Sequence, residues 1–268
     1  MTLFRLAGLP PMLESLYGVA GDFAAVERLP RAAAAPGSAF PPATAFGRCI
    51  DLRDFAFDAD FAATPMIDFF LRRLRVDPAL VPAAARRNAW LASRVRPAAS
   101  PLAAGYALVC PRASMPLREM PDAIHAAILR RLGASGWRVA TQGEVSQGGQ
   151  CTVSQTATLE ELCGWVRRAA LVVSTDTGML HLADAFGVPC LAFFTTHRPE
   201  WRMRDYPRCR SVHLPVPGLP ESLEFARGEA DIVAAQAAWF PDGEDLAWLD
   251  AAMDAGLDLL TPNLLTPG

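Results

Sequence analysis

Between Tyr106 and Phe194 short apolar runs alternate with amphipathic stretches, and this alternation limits the fold more than any other feature of the chain. Tyr106 to Cys110 is an apolar run. Asp122 to Leu132 follows, with Ile124, Ile128 and Leu132 four residues apart on one helical face. Gly133 and Gly136 are expected to end that helix. Trp137 to Thr141 and Cys151 to Val153 read as strands around a polar, Gly-rich loop, Gln142 to Gln150. Thr158-Leu-Glu-Glu161 is a capping box opening a helix to Arg168. Leu171 to Thr175 reads as a strand, Met179 to Phe186 as a helix, and Pro189 to Phe194 as another strand. Strands alternating with helices argue for an open, mostly parallel sheet covered on both faces. Ligands bind such sheets beyond the carboxyl ends of the strands, so the loops after the strands are where function is sought.

The remainder is less regular. Residues 11–29 have the pattern of one helix, Cys49 to Leu52 that of a short buried strand, and Met66 to Leu74 that of an amphipathic helix closed by Asp77-Pro78. The Ala/Pro-rich stretch Val81 to Ala104 reads as a linker. At about 100–200 residues per domain, 268 residues suit one large domain or two small ones: the division expected is an N-terminal α/β domain over 1–98 and a C-terminal one over 99–240, followed by a helical tail over 241–268. In that tail Leu246, Leu249, Met253, Leu257 and Leu260 fall at helical spacing.

Composition excludes several chemistries. All 25 basic residues are arginine. Without lysine there is no pyridoxal Schiff base, no Walker P-loop and no kinase-type phosphate lysine. Any cationic ligand contact comes from guanidinium, which favours forked contacts to phosphate or carboxylate. The net charge of -3 disfavours a nucleic-acid partner. Six scattered cysteines and four dispersed histidines lack zinc-site spacing and suit thiols in a reducing compartment. Neither a signal-peptide pattern nor an apolar run of about 18 residues occurs, so a cytoplasmic protein without a membrane span is expected. Peripheral membrane contact and oligomeric state stay open.

Among the strand-end loops the richest is Asp176-Thr-Gly178, directly after a buried strand. Asp176 or Thr177 caps the next helix, Gly178 admits a close ligand, and free N–H groups at the helix start favour an anion. His181 lies outside the apolar arc of that helix, one turn in. The bland alternative is a simple cap and a surface histidine. The loop Pro111 to Pro121 offers the Ser114 hydroxyl and the Arg118 cation, either of which suits a phosphate. Glu144 stands in the third loop, where an acidic side chain can accept from ribose hydroxyls. No G-x-G-x-x-G fingerprint is present.

These residues carry a resemblance. Tyr106 to Trp201 resembles the C-terminal domain of glycosyltransferase family 9, which includes the ADP-heptose:lipopolysaccharide heptosyltransferases. Cys110-Pro-Arg-Ala-Ser114 and Arg118-Glu-Met-Pro121 stand where members have H-P-G-A-S and K-x-W-P turns, and Thr158-Leu-Glu-Glu-Leu162 where they have S/T-L-x-E-L. Asp176-Thr-Gly-Met-Leu-His-Leu-Ala-Asp-Ala-Phe-Gly-Val-Pro189 matches D-[ST]-G-x-x-H-L-A-x-A-x-G-x-P. Asp51-Leu-Arg-Asp54 and Met66-Ile-Asp-Phe-Phe are similar to the late part of the family's N-terminal domain.

The resemblance implies a GT-B-like α/β architecture: two Rossmann-like domains facing a cleft, here with the N-terminal one truncated. It implies an inverting, metal-independent glycosyltransferase without a cofactor. Such an enzyme moves heptose or a similar sugar from a nucleotide-diphosphate donor, such as ADP-heptose, to a cell-envelope glycan or glycolipid acceptor. Ser114, Arg118, Glu144, Asp176, Thr177, Gly178 and His181 would hold the donor. The family's general base is an Asp in a G-x-x-G-D turn after the opening strand. Gly18-Val-Ala-Gly-Asp22 matches that turn, and Asp54 is a second candidate. Phe4-Arg-Leu-Ala-Gly-Leu-Pro10 is the competing opening, with Pro in place of the Asp. That departure keeps open a non-catalytic relative, a binding or assembly module that retains the pocket or only the fold. Another nucleotide-dependent enzyme, such as a sugar epimerase, is a third reading.

Overall fold

The computed structural model describes residues 2–6, 25–29, 50, 55–142, 151–153 and 156–260. Strands β1 (Thr2–Leu6) and β2 (Ala25–Leu29) form a parallel two-stranded sheet. Residues 25–29 are therefore not the end of a helix: Val26 next to Leu29 satisfies a helical pattern, but five residues pair in register with the first strand instead. Of the stretch expected as a strand at 49–52, Ile50 is irregular and the rest lies outside the described residues.

Helix α1 (Met66–Arg73) follows, with Arg72 and Arg73 favourably placed at its C-terminus. The Ala/Pro-rich stretch is not an extended tether. It folds into a 3-10 turn (Ala83–Arg86) and helix α2 (Ala89–Arg94), because Leu91 and Val95 bury against the main core.

The main sheet contains β3 (Tyr106–Cys110), β4 (Val139–Gln142), β5 (Cys151–Val153), β6 (Ala169–Thr175), β7 (Cys190–Phe194) and β8 (Cys209–His213). Its order is β5-β4-β3-β6-β7-β8, and all neighbours are parallel. Alternate residues of each central strand face opposite layers. Tyr106, Leu108, Cys110, Val172, Ala192 and Phe194 meet helices α4 (Leu159–Arg168) and α5 (Gly178–Phe186) through Leu162, Val166, Leu180 and Ala183. Ala107, Val109, Leu171, Val173, Leu191 and Phe193 meet α3 (Asp122–Ala134) through Ile124, Ile128 and Leu132. Each such large side chain contributes about 1.5–3 kcal/mol by leaving water.

Local chemistry sets the helix ends. The α4 capping box forms as expected, with Thr158 Oγ1 accepting from the Glu161 N–H at 3.2 Å and Glu161 Oε2 accepting from the Thr158 N–H at 3.3 Å. Helix α3 runs through Gly133 and stops before Gly136, whose φ of 77° makes the turn. Helix α6 (Pro199–Met203) lies between β7 and β8, and α7 (Glu229–Ala237) follows β8. Helix α8 (Ala247–Leu257) packs on the main sheet and α3, through Leu249 and Met253. No helix among the described residues is long and apolar enough to cross a membrane.

The strand order reverses between β3 and β6. Chain leaving β3 goes to β4 on one side, and chain leaving β6 goes to β7 on the other. Their carboxyl ends therefore flank a crevice, the position at which open α/β sheets hold ligands.

Candidate functional site

A cavity of about 870 Å³ opens at this crevice. Its floor comes from the loops after β3 and β6, including Ser114, Arg118, Asp176, Thr177, Gly178 and His181. These six expected site residues thus converge from two segments more than fifty residues apart in sequence. Gln142 lines the cavity at the end of β4, whereas Glu144 lies outside the described residues. Asp22 and Asp54 lie outside them as well. The other wall comes from earlier in the chain, with Phe55, Met66, Phe70, Asn88 and Trp90.

Of the two residues able to cap α5, Thr177 does so, its Oγ1 accepting from the Met179 N–H at 3.2 Å. Asp176 is thereby left for another task. It is 4% exposed, and its Oδ2 stands 3.2 Å from His197 Nδ1, 3.7 Å from Arg202 Nε and 3.8 Å from Arg118 Nη1. Burial alone would raise its pKa. The adjacent His197 ring and the charges of Arg202 and Arg118 outweigh this and hold the carboxyl well below its usual range.

Glu224 closes the cluster from the segment before α7. Its Oε2 lies 2.7 Å from Arg202 Nη2 and 3.4 Å from His197 Nε2, and its Oε1 lies 3.5 Å from Arg118 Nη1. Here too burial raises the pKa, but the adjacent His197 ring and the two arginines bring it down to about 2. Both carboxylates are therefore ionised at neutral pH.

The two arginines are held differently. Arg202 is buried, donates to Glu224 at 2.7 Å, reaches Met66 Sδ at 3.0 Å and lies 5.3 Å from the Phe61 ring centroid. Arg118 stands farther from both carboxylates and has a 2.9 Å bond to Ser114 Oγ. Arg202 is the more tightly held of the two, by its 2.7 Å bond to Glu224 against the 3.5 Å one of Arg118.

At the start of α5, a Cβ on Gly178 would meet no atom within 4 Å. The backbone there lies open toward the cavity, as close approach to a ligand requires. His181 also lines the cavity, and its Nδ1 is 2.6 Å from Tyr206 Oη. Burial and the charge of Arg202 lower its pKa against the opposing pull of Asp176 and Asp184, which favours the neutral ring.

Sequence reasoning missed His197, Arg202, Tyr206 and Glu224. His197 and Arg202 follow β7 in Thr196-His-Arg-Pro-Glu-Trp-Arg202. The strand-end rule applied to the first three loops also points to this one. Glu224 lies eleven residues after the end of β8 and carries no local signal.

The parallel sheet with a cleft at its switch point is a GT-B-like α/β architecture, and one solved structure supports this over nearly the whole chain. The iron-containing dodecameric glycosyltransferase TibC from enterotoxigenic E. coli superposes with a TM-score of 0.58 at 13% identity, covering 97% of this chain and 76% of that one. The chain is similar to glycosyltransferase family 9 in particular: residues 81–206 match its model, described as glycosyltransferase family 9 (heptosyltransferase). Two further structures align less fully. E. coli heptosyltransferase WaaC with ADP-2-deoxy-2-fluoro heptose shares 19% identity over 59% of this chain and 50% of that one, at a TM-score of 0.40. The family 9 glycosyltransferase from Veillonella parvula shares 14% over 42% and 36%, at 0.35. The chain thus spans half or less of the length of these two proteins. No curated protein matches it.

Proposed function

We propose that this protein is a glycosyltransferase of the heptosyltransferase kind, taking a nucleoside-diphosphate sugar into the cavity between the ends of β3 and β6. The observation that carries the reading is the convergence of Arg118, Thr177, Gly178 and His181 on that cavity, within a stretch matched by the family 9 model. The diphosphate lies against the amino end of α5, with Arg118 as its cation. Glu144 takes the nucleoside. Asp176 does not touch the phosphates directly but holds Arg118, Arg202 and His197 in place.

Transfer inverts the anomeric centre. The acceptor hydroxyl attacks as the diphosphate departs, and the developing charge is stabilised by helix N–H groups and guanidinium, without a metal. Asp22, or else Asp54, serves as the base. The acceptor is a cell-envelope glycan or glycolipid, met from the cytoplasm.

One observation favours a second reading. Strand β1 ends at Leu6, so Ala7-Gly-Leu-Pro10, without a carboxylate, follows the opening strand. A non-catalytic relative that binds the donor without transferring its sugar suits that placement.

Thermal unfolding with ADP-, UDP-, GDP- and dTDP-sugars tests both readings. One nucleotide class should raise the midpoint by several degrees at ligand concentrations about 100 times Kd. No shift with any of the four would remove both. Release of nucleoside diphosphate from the stabilising sugar nucleotide, when a glycan acceptor is added, separates enzyme from binding module.

A further inference from the structure

The second wall of the cavity reaches His181 through a chain of hydrogen bonds. Asp184, 3% exposed on α5, accepts from Arg87 Nε at 3.0 Å, from the Asn88 main-chain N–H at 2.9 Å and from Asn88 Nδ2 at 3.2 Å. A carboxylate only accepts, so the amide nitrogen of Asn88 must be the atom turned toward it. The same nitrogen lies 2.7 Å from Tyr206 Oη and donates its second proton there. Tyr206 Oη in turn lies 2.6 Å from His181 Nδ1, with the two rings edge to face at 5.7 Å. Asn88 and His181 are the partners of this hydroxyl among the described residues. With Asn88 donating to its oxygen, the hydroxyl proton has His181 Nδ1 as its acceptor.

We infer that Tyr206, oriented by Asn88 and Asp184, is a positioning residue that fixes His181 as the tautomer with Nδ1 bare and the proton on Nε2. The opposite tautomer leaves the proton of this part-buried hydroxyl without a protein acceptor, at a cost of about 1 kcal/mol. Fixing the proton on Nε2 gives the cavity a neutral N–H donor for a phosphate or sugar oxygen. The other tautomer would present a lone pair and repel that oxygen. Sequence places the device in two distant segments, Arg87-Asn88 and Tyr206, each of which holds α5 from outside. Its use in donor binding rests on the proposed function; the tautomer itself does not.

The test uses the full chain with histidine labelled by nitrogen-15 in the ring, the His181 signals being those lost in His181→Gln. In the unsubstituted protein, Nδ1 of His181 should resonate as a bare nitrogen and Nε2 as a protonated one. In Tyr206→Phe the two signals should move toward an average. Asn88→Ala, which frees the hydroxyl to accept from His181, should do the same if the first variant fails to fold. Calorimetric titration with ADP supplies the second readout. Tyr206→Phe should weaken binding about tenfold when His181 is present and leave it unchanged in the His181→Gln background. A protonated Nδ1 in the unsubstituted protein, or ring signals unmoved in the folded variants, would overturn the inference. Failure of ADP to bind the unsubstituted protein would count against the nucleotide reading while the ring spectrum still decides the tautomer.

Discussion

Asp176→Ala is expected to lower folding stability by about 3–5 kcal/mol, the cost of removing one partner from a buried ionic cluster. Arg118, Arg202 and His197 would then share Glu224 alone. The loss should depend on pH. Asp176 and Glu224 both have folded pKa values below their ordinary ones of 3.8 and 4.5. Their contribution is therefore fully present above about pH 4.5 and is lost as pH falls through the folded values. For Glu224, a lowering from 4.5 to about 2 corresponds to about 3 kcal/mol. Urea unfolding at pH 7 and pH 3 should show the unsubstituted protein losing stability between the two, and Asp176→Ala losing less because one contributor is already gone. Equal stability at pH 7 would show that the cluster does not hold the site together.

Arg118→Ala should act on the ligand instead of the fold. Arg118 stands 3.5 Å and 3.8 Å from the two carboxylates, which keep Arg202 and His197 when it is removed. Its shorter bond, at 2.9 Å, is to the exposed Ser114, and the one to Glu224 is long, at 3.5 Å. Loss of a charge-assisted contact to phosphate predicts ADP affinity reduced about 10–100-fold with little change in unfolding midpoint. Arg118→Lys should fall between the two, since an ammonium keeps the charge without the planar fork. Unchanged ADP affinity in Arg118→Ala would return this side chain to the class of structural cations.

The order of strands and helices from Tyr106 to Phe194 was legible because buried parallel strands and capped helices leave local signatures: apolar runs, the Thr158–Glu161 box, the Asp176-Thr-Gly turn. The same locality explains what escaped. Ala25–Leu29 is a strand because of its partner in β1, and nothing within five residues declares that pairing. The stretch at 81–104 looks like a linker by composition, yet Leu91 and Val95 are drawn into a core made elsewhere. At the site, Asp176 and Arg118 were visible from their loops, but Glu224 and Tyr206 join them only through the tertiary fold. From its loop alone, Asp176 is one of two candidate caps. Its role in the ion cluster appears only once His197 and Arg202 arrive from the loop after β7.

Calorimetric titration of ADP into the unsubstituted protein and into Gly178→Val tests the central claim most directly. A Cβ at residue 178 would meet nothing within 4 Å beyond its own helix and chain neighbours, so the variant should unfold within a few degrees of the parent. If the diphosphate rests against this backbone, the valine occupies its place and ADP affinity falls at least tenfold. Equal affinity in a normally folded Gly178→Val protein would contradict the assignment of the donor to the cleft between β3 and β6.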